Sequence, residues 1–153
     1  QDHVSITTPY FVPDQSFLEA VEVAVLTGVK VELFVPRRCD QILVGAASRA
    51  YYEELLQTGV KIFLYEPGLL HAKTLCIDDR IGFFGTSNFD IRSFKLDFEI
   101  NLILYGTEAA GMLRNVIEEY RRYATELKLE HWQERSPIYR VGQNTAKLLS
   151  PLL

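Results

Sequence analysis

His71-Ala72-Lys73-Thr74-Leu75-Cys76-Ile77-Asp78, then Gly85-Thr86-Ser87-Asn88, with Glu99 shortly beyond, is the stretch on which the reading of this chain turns. It occurs once. His71 to Ile77 reads as a strand, Asp78-Asp79-Arg80 as a tight connection and Ile81 to Phe84 as a returning strand, which makes an antiparallel hairpin. Leu96 to Tyr105 reads as a further strand beside it. In a strand, residues two apart share a face, so His71 and Lys73 are expected to project together while Ala72 and Thr74 face the other way.

Upstream the rhythm differs. Asp14 precedes Phe17, Leu18, Val21, Ala24 and Val25, an apolar face at helical spacing, and Thr27-Gly28 stops that helix. Val29 to Val35 is a strand. Ile42 to Gln57 reads as the next helix, closed by Thr58-Gly59, and Val60 to Tyr65 as the next strand. Thr-Gly-Val-Lys thus recurs at 27–30 and 58–61, the mark of two successive helix–strand units with parallel strands. A long helix is expected over Thr107 to Leu127, with Ala110, Leu113, Val116, Ile117 and Tyr120 inward and Arg114, Glu118, Arg121 and Arg122 on a solvated face. The tail, 136–153, holds Ile138, Val141, Leu148, Leu149, Leu152 and Leu153 and is expected to dock on the domain. The whole chain, 1–153, reads as one domain of α/β class: a mixed parallel and antiparallel central sheet flanked by helices.

Bulk properties agree with a folded globular unit. A chain of 153 residues, 48% hydrophobic and 24% charged, has enough apolar material for a core,. The net charge of −4 argues against bulk nucleic acid as a partner, because such domains carry a basic face,. Cys39 and Cys76 lack paired-motif spacing and are expected as free thiols, Cys76 buried. No apolar stretch reaches the ~20 residues of a membrane span. The start, Gln1-Asp2-His3, has no signal-peptide pattern, and Met112 is the sole methionine, so the chain reads as a piece of something longer,.

The motif's residue types define a chemistry. An imidazole can attack phosphorus or pass a proton to a leaving alkoxide, and an ammonium beside it stabilises charge on non-bridging oxygens. Gly85 permits close backbone approach, and the Thr86 hydroxyl and Asn88 amide can donate to phosphate oxygens. Glu99 is suited to accept the second imidazole N–H, with Asp97 on the same face as the competing choice. Arg37 and Arg38, after Val35-Pro36, stand at a strand end where phosphate-binding loops gather, and either bind a headgroup or are simply solvated. Tyr10 and Phe11 end a strand and either line a substrate entrance or pack in the core. His3, His71 and His131 are scattered and no spacing resembles a metal site, so neither a metal nor another cofactor is expected.

These residues resemble the phospholipase D superfamily, whose signature is His-x-Lys-x4-Asp with a trailing Gly-Thr/Ser-x-Asn. Ile6 to Asp14, Tyr51 to Leu56, Asp90 to Phe94 and Leu148 to Leu153 further resemble the C-terminal catalytic half of the bacterial cardiolipin synthases. The resemblance implies a half-domain of a pseudo-twofold pair, one histidine forming a phosphohistidine and the other serving as acid and then base. It implies that His71 is one of that pair, that Lys73 and Asn88 hold phosphate, that Glu99 orients a histidine and that Asp78 is structural. The expected reaction joins two phosphatidylglycerol molecules into cardiolipin and releases glycerol, without metal, at the bacterial cell membrane. The expected partners are that phospholipid, the membrane surface and an N-terminal half carrying the first motif, or a second copy of this chain. The alternatives are a single-motif homodimeric phosphodiesterase or nuclease, and an isolated domain without catalysis.

Overall fold

The computed structural model describes residues 2–148. In chain order the elements are β1 His3–Thr7, β2 Phe11–Val12, α1 Gln15–Leu26, β3 Lys30–Pro36, α2 Ile42–Ala50, α3 Tyr52–Thr58, β4 Lys61–Tyr65, β5 Thr74–Ile77, β6 Ile81–Gly85, β7 Phe89–Asp90, α4 Ile91–Lys95, β8 Asn101–Tyr105, α5 Thr107–Arg122, β9 Ala124–Leu127, α6 Leu129–Gln133 and α7 Pro137–Leu148. The main sheet has seven strands in the order β8-β6-β5-β1-β3-β4-β9, and β2 and β7 form a separate parallel pair. β1, β3 and β4 are parallel; β5, β6, β8 and β9 add to them antiparallel. The expected mixed α/β sheet is the observed one.

Both faces of the sheet are covered, which accounts for the continuous apolar run Leu33, Phe34 and Val35 in β3,. On one face Ile6, Leu33, Val35 and Ile62 pack with Leu18, Val21, Tyr52, Leu55 and Trp132 from the helices. On the other, Phe34, Phe63 and Cys76 lie under Leu113 and Ile117 of α5. α1 starts where Asp14 accepts the Phe17 N–H at 3.0 Å,. α3 ends at Gly59, whose φ of +111° a side chain would resist,. α7 packs along α2 and buries Ala146, so the tail docks as expected as far as Leu148; Leu149, Leu152 and Leu153 lie outside the described residues.

Six expectations need correction. The helix over Ile42 to Gln57 breaks at Tyr51, because successive rings on one helix point 100° apart and both Tyr51 and Tyr52 are buried,. The long helix stops at Arg122, and Ala124–Leu127 covers the edge of β4 as a strand; Ala124 and Leu127 had continued the helical spacing, which hid the change of period. Within that helix Val116 is exposed, whereas Arg121 is ion-paired to Glu32 and not merely solvated. The strand expected from His71 begins only at Thr74, since its partner β1 ends at Thr7, opposite Thr74. The strand expected from Leu96 begins at Asn101, opposite Gly85 where β6 ends, and Ile91–Lys95 is instead a short helix. Tyr10 and Phe11 likewise do not end β1: Tyr10 follows a bend at Pro9 and Phe11 opens β2. Cys39 and Cys76 are free, the second buried.

Candidate functional site

The parallel strands all end at one edge of the sheet, and there the chain leaves β4, crosses and returns antiparallel as β5. Residues 66–73 form this crossing, so His71 and Lys73 sit above the strand ends, where ligands of open α/β sheets bind,. Although they lie outside the ladder, His71 and Lys73 do meet: Lys73 Nζ is 2.9 Å from His71 Nδ1 and donates to the His71 carbonyl at 3.1 Å. Gly85 N–H donates to the Lys73 carbonyl at 3.2 Å, joining the two halves of the motif run. Partial burial pushes the Lys73 pKa down, and the Glu99, Asp90 and Asp40 carboxylates pull it back up,. His71, Lys73, Thr74, Gly85 and Thr86 line an open depression of about 530 Å³.

Behind this pair runs a hydrogen-bonded chain. Thr86 donates its hydroxyl to Glu99 and accepts the Ile100 N–H at 3.0 Å. Ser93 donates to the same carboxylate at 3.2 Å and accepts the Asn88 N–H at 3.1 Å. Ser93 is itself fixed by its N–H on Asp90, the N-cap of α4, at 2.7 Å. Glu99 therefore bonds Thr86 and Ser93 in this chain, and Asp97 turns away to Arg92 at 3.4 Å. The Asn88 Oδ1 is buried with no partner among the described residues, and the residue lines a neighbouring cavity of about 310 Å³ rather than the His71 depression. Gly85 comes close to protein as well: a Cβ there would strike Asn101 and the Ile100 carbonyl of the adjacent strand.

The remaining candidates are spread more widely. Asp78 is at the far end of β5 from His71, accepting the backbone N–H groups of Asp2 and His3 at 2.8 Å each. Arg37 is paired with Glu66 at 2.7 Å, and Arg38 is exposed in the same loop. Tyr10 is buried against the site, its ring edge-on to His71 with centroids 6.4 Å apart and its hydroxyl donating to Asp40 at 2.8 Å. Burial first, then Asp40, pushes the Tyr10 phenol up to about 12. Sequence reasoning missed Ser93, Asp90 and Asp40; Asp90-x-x-Ser93 is an N-cap pattern that could have revealed the first two. Among the described residues no three His, Cys, Asp or Glu side chains converge as a metal site requires. A separate depression of about 880 Å³ along α5 contains none of the motif's His, Lys or Asn residues.

Solved structures place this architecture. A phospholipase D family member from Salmonella typhimurium superposes with a TM-score of 0.70 at 14% identity, covering 83% of this chain and 82% of that one. Phosphatidylserine synthase from Haemophilus influenzae superposes with a TM-score of 0.79 at 18% identity, covering all of this chain and 42% of that one. The fold is that of phospholipase D-like domains. The family model described as cardiolipin synthase, PLD-like domain, matches residues 1–121. Cardiolipin synthase of Geobacillus kaustophilus is 44% identical over 149 residues, and that of Halalkalibacterium halodurans 43% over 148, each match covering 97% of this chain. The chain belongs to the cardiolipin synthase family of phospholipase D-like domains. It spans 29–30% of the length of those two relatives.

Proposed function

We propose that this chain is one half of a phosphatidyl transferase that condenses two phosphatidylglycerol molecules into cardiolipin and glycerol. The observation that carries the reading is the Lys73 ammonium 2.9 Å from the His71 imidazole, at the mouth of a depression bordered by Thr86. The likeness to curated cardiolipin synthases supplies the substrate class. One imidazole of an opposed pair attacks phosphorus and the P–O bond to the glycerol headgroup breaks, the other imidazole giving its proton to the leaving alkoxide. That second imidazole then takes the proton from a primary hydroxyl of the next phosphatidylglycerol, whose oxygen attacks phosphorus and displaces the first. Lys73 and Asn88 hold the non-bridging oxygens, Thr86 borders them, and no metal is required. Glu99, engaged in this chain by Thr86 and Ser93, is left to orient the histidine of the opposing half. Arg37 and Arg38 stand at the rim for a headgroup phosphate.

The chain carries one motif, so the opposing imidazole comes from an N-terminal half or a second copy. Leu96, Phe98, Ile100 and Leu102 expose an apolar row on either side of Glu99, suited to burial against that half,. The site would work at the surface of the bacterial cell membrane; among the described residues no helix is long and apolar enough to cross one.

A homodimeric phosphodiesterase is the second reading, in which a second copy of this chain supplies the counterpart of its single motif. The deciding assay offers phosphatidylglycerol vesicles and DNA to this chain, alone and with the preceding half of its parent protein, with and without EDTA. Cardiolipin formed with both halves present, unaffected by EDTA, is the expected result. Cleavage of DNA without lipid turnover overturns the reading, and inhibition by EDTA reversed by added metal overturns the covalent mechanism.

A further inference from the structure

Asp40 stands in the loop after β3 with its two oxygens unequally engaged. Oδ1 accepts the Tyr10 hydroxyl at 2.8 Å and the Gln41 N–H at 3.0 Å, whereas Oδ2 takes only the longer Tyr10 contact, at 3.1 Å, among the described residues. The Gln41 side-chain amide donates to the same Tyr10 oxygen at 3.2 Å, and its carbonyl oxygen has no hydrogen bond among the described residues. Tyr10 in turn lies edge-on to His71, so the loop is tethered beside the motif histidine. Two acceptors, Asp40 Oδ2 and the Gln41 carbonyl, are thereby held on a rigid tyrosine next to a phosphodiester site. A carboxylate beside an anionic substrate is a liability unless it receives hydrogen-bond donors. A cationic headgroup is disfavoured, because Arg38 and Arg49 stand in or against this loop and Lys73 lies near enough to feel Asp40,. The remaining fit is an uncharged group with two hydroxyl donors.

We propose that Asp40 and Gln41, aligned by Tyr10, form a hydroxyl-binding subsite that selects a vicinal diol on the headgroup of the phosphodiester. This rests on the reading of the His71 and Lys73 site as a phosphodiester site. The test is an NMR titration of this chain with three soluble monoanionic or zwitterionic diesters: glyceryl ethyl phosphate, diethyl phosphate and aminoethyl ethyl phosphate. Glyceryl ethyl phosphate is expected to shift the amides of residues 40 and 41 as well as those of 71 and 73, and to bind about tenfold more tightly than diethyl phosphate. Asp40→Asn and Asp40→Ala, with spectra otherwise unchanged, are expected to abolish that advantage and leave diethyl phosphate within about twofold. If no diester shifts residues 71 and 73, the phosphodiester reading itself fails. If all three shift them alike without reaching residues 40 and 41, or if the aminoethyl ester binds tightest, the diol subsite is wrong and the phosphodiester site stands.

Discussion

The side chains of His71 and Lys73 contact each other, the His71 ring meets Tyr10, and the backbone bond from Gly85 to the Lys73 carbonyl does not depend on them, so replacing either should leave the core intact. If the proposed two-half enzyme is assembled, His71→Ala is expected to lower its rate of cardiolipin formation by about 10²–10⁴-fold or more, and Lys73→Ala by about 10²–10³-fold. Normal rates in a well-folded variant would remove these residues from the site. Asp78 acts at the other end of β5, where its φ is +50° and its carboxylate ties down two backbone N–H groups. Those bonds hold its carboxyl below the usual aspartate range. Asp78→Ala should cost about 1–3 kcal/mol by urea denaturation, through lost acceptors and a left-handed backbone, and Asp78→Asn distinctly less. Glu32 is buried, which alone would raise its pKa; the Arg121 and His3 bonds outweigh burial and lower it below the ordinary 4.5. The unfolded chain therefore takes up this proton first, so the stabilisation is complete above that value and is lost as pH falls through the folded one. Glu32→Gln is expected to flatten the acid limb of the stability–pH curve and to cost about 2 kcal/mol at neutral pH.

Gly85 joins the hydroxyl end of the motif to the sheet. A methyl at this position meets the β8 backbone, so β6 and β8 must separate and Thr86 must leave Glu99. Gly85→Ala is expected to destabilise the fold by about 1–3 kcal/mol and to broaden the amide signals of residues 86–88 and 100–101, with His71 unmoved. The sequence already suggested a need for closeness here and offered phosphate as the reason; the structure adds the neighbouring strand. Much of the architecture was legible for comparable local reasons. Asp14 and Gly59 mark helix ends, and the repeated Thr-Gly-Val-Lys marks the parallel units. What was not legible depends on where a partner stops: His71 and Glu99 looked like strand residues because alternation continues past the last pairing position. Ala124 and Leu127 fit helical and extended spacing equally, and only the open edge of β4 decides between them. The Asp90-x-x-Ser93 spacing marks Ser93 as a capped helix residue, but its contacts with both Asn88 and Glu99 are a conjunction that the spacing does not encode.

At the scale of the molecule the exposed row Leu96, Phe98, Ile100 and Leu102 borders the edge strand β8, so apolar surface and unpaired backbone coincide,. This chain is expected to associate through that face when no other half is present, and sedimentation velocity should find a dimer that Phe98→Asp converts to monomer. A dimer unaffected by Phe98→Asp would move the interface elsewhere. The other edge strand is β9, and α5 lies over Phe34, Phe63 and Cys76, so the apolar row beside β8 is what singles out that edge. Everything from His71 to Asn101 is a single unbroken segment, joined to the parallel strands by β1 against β5 and β2 against β7. A gene segment that copies this stretch with its β1 support copies half a reaction centre at once, with its imidazole, ammonium and carboxylate already in register. Two-centred chemistry can then arise by tandem duplication, leaving selection to refine one copy for attack and the other for proton transfer.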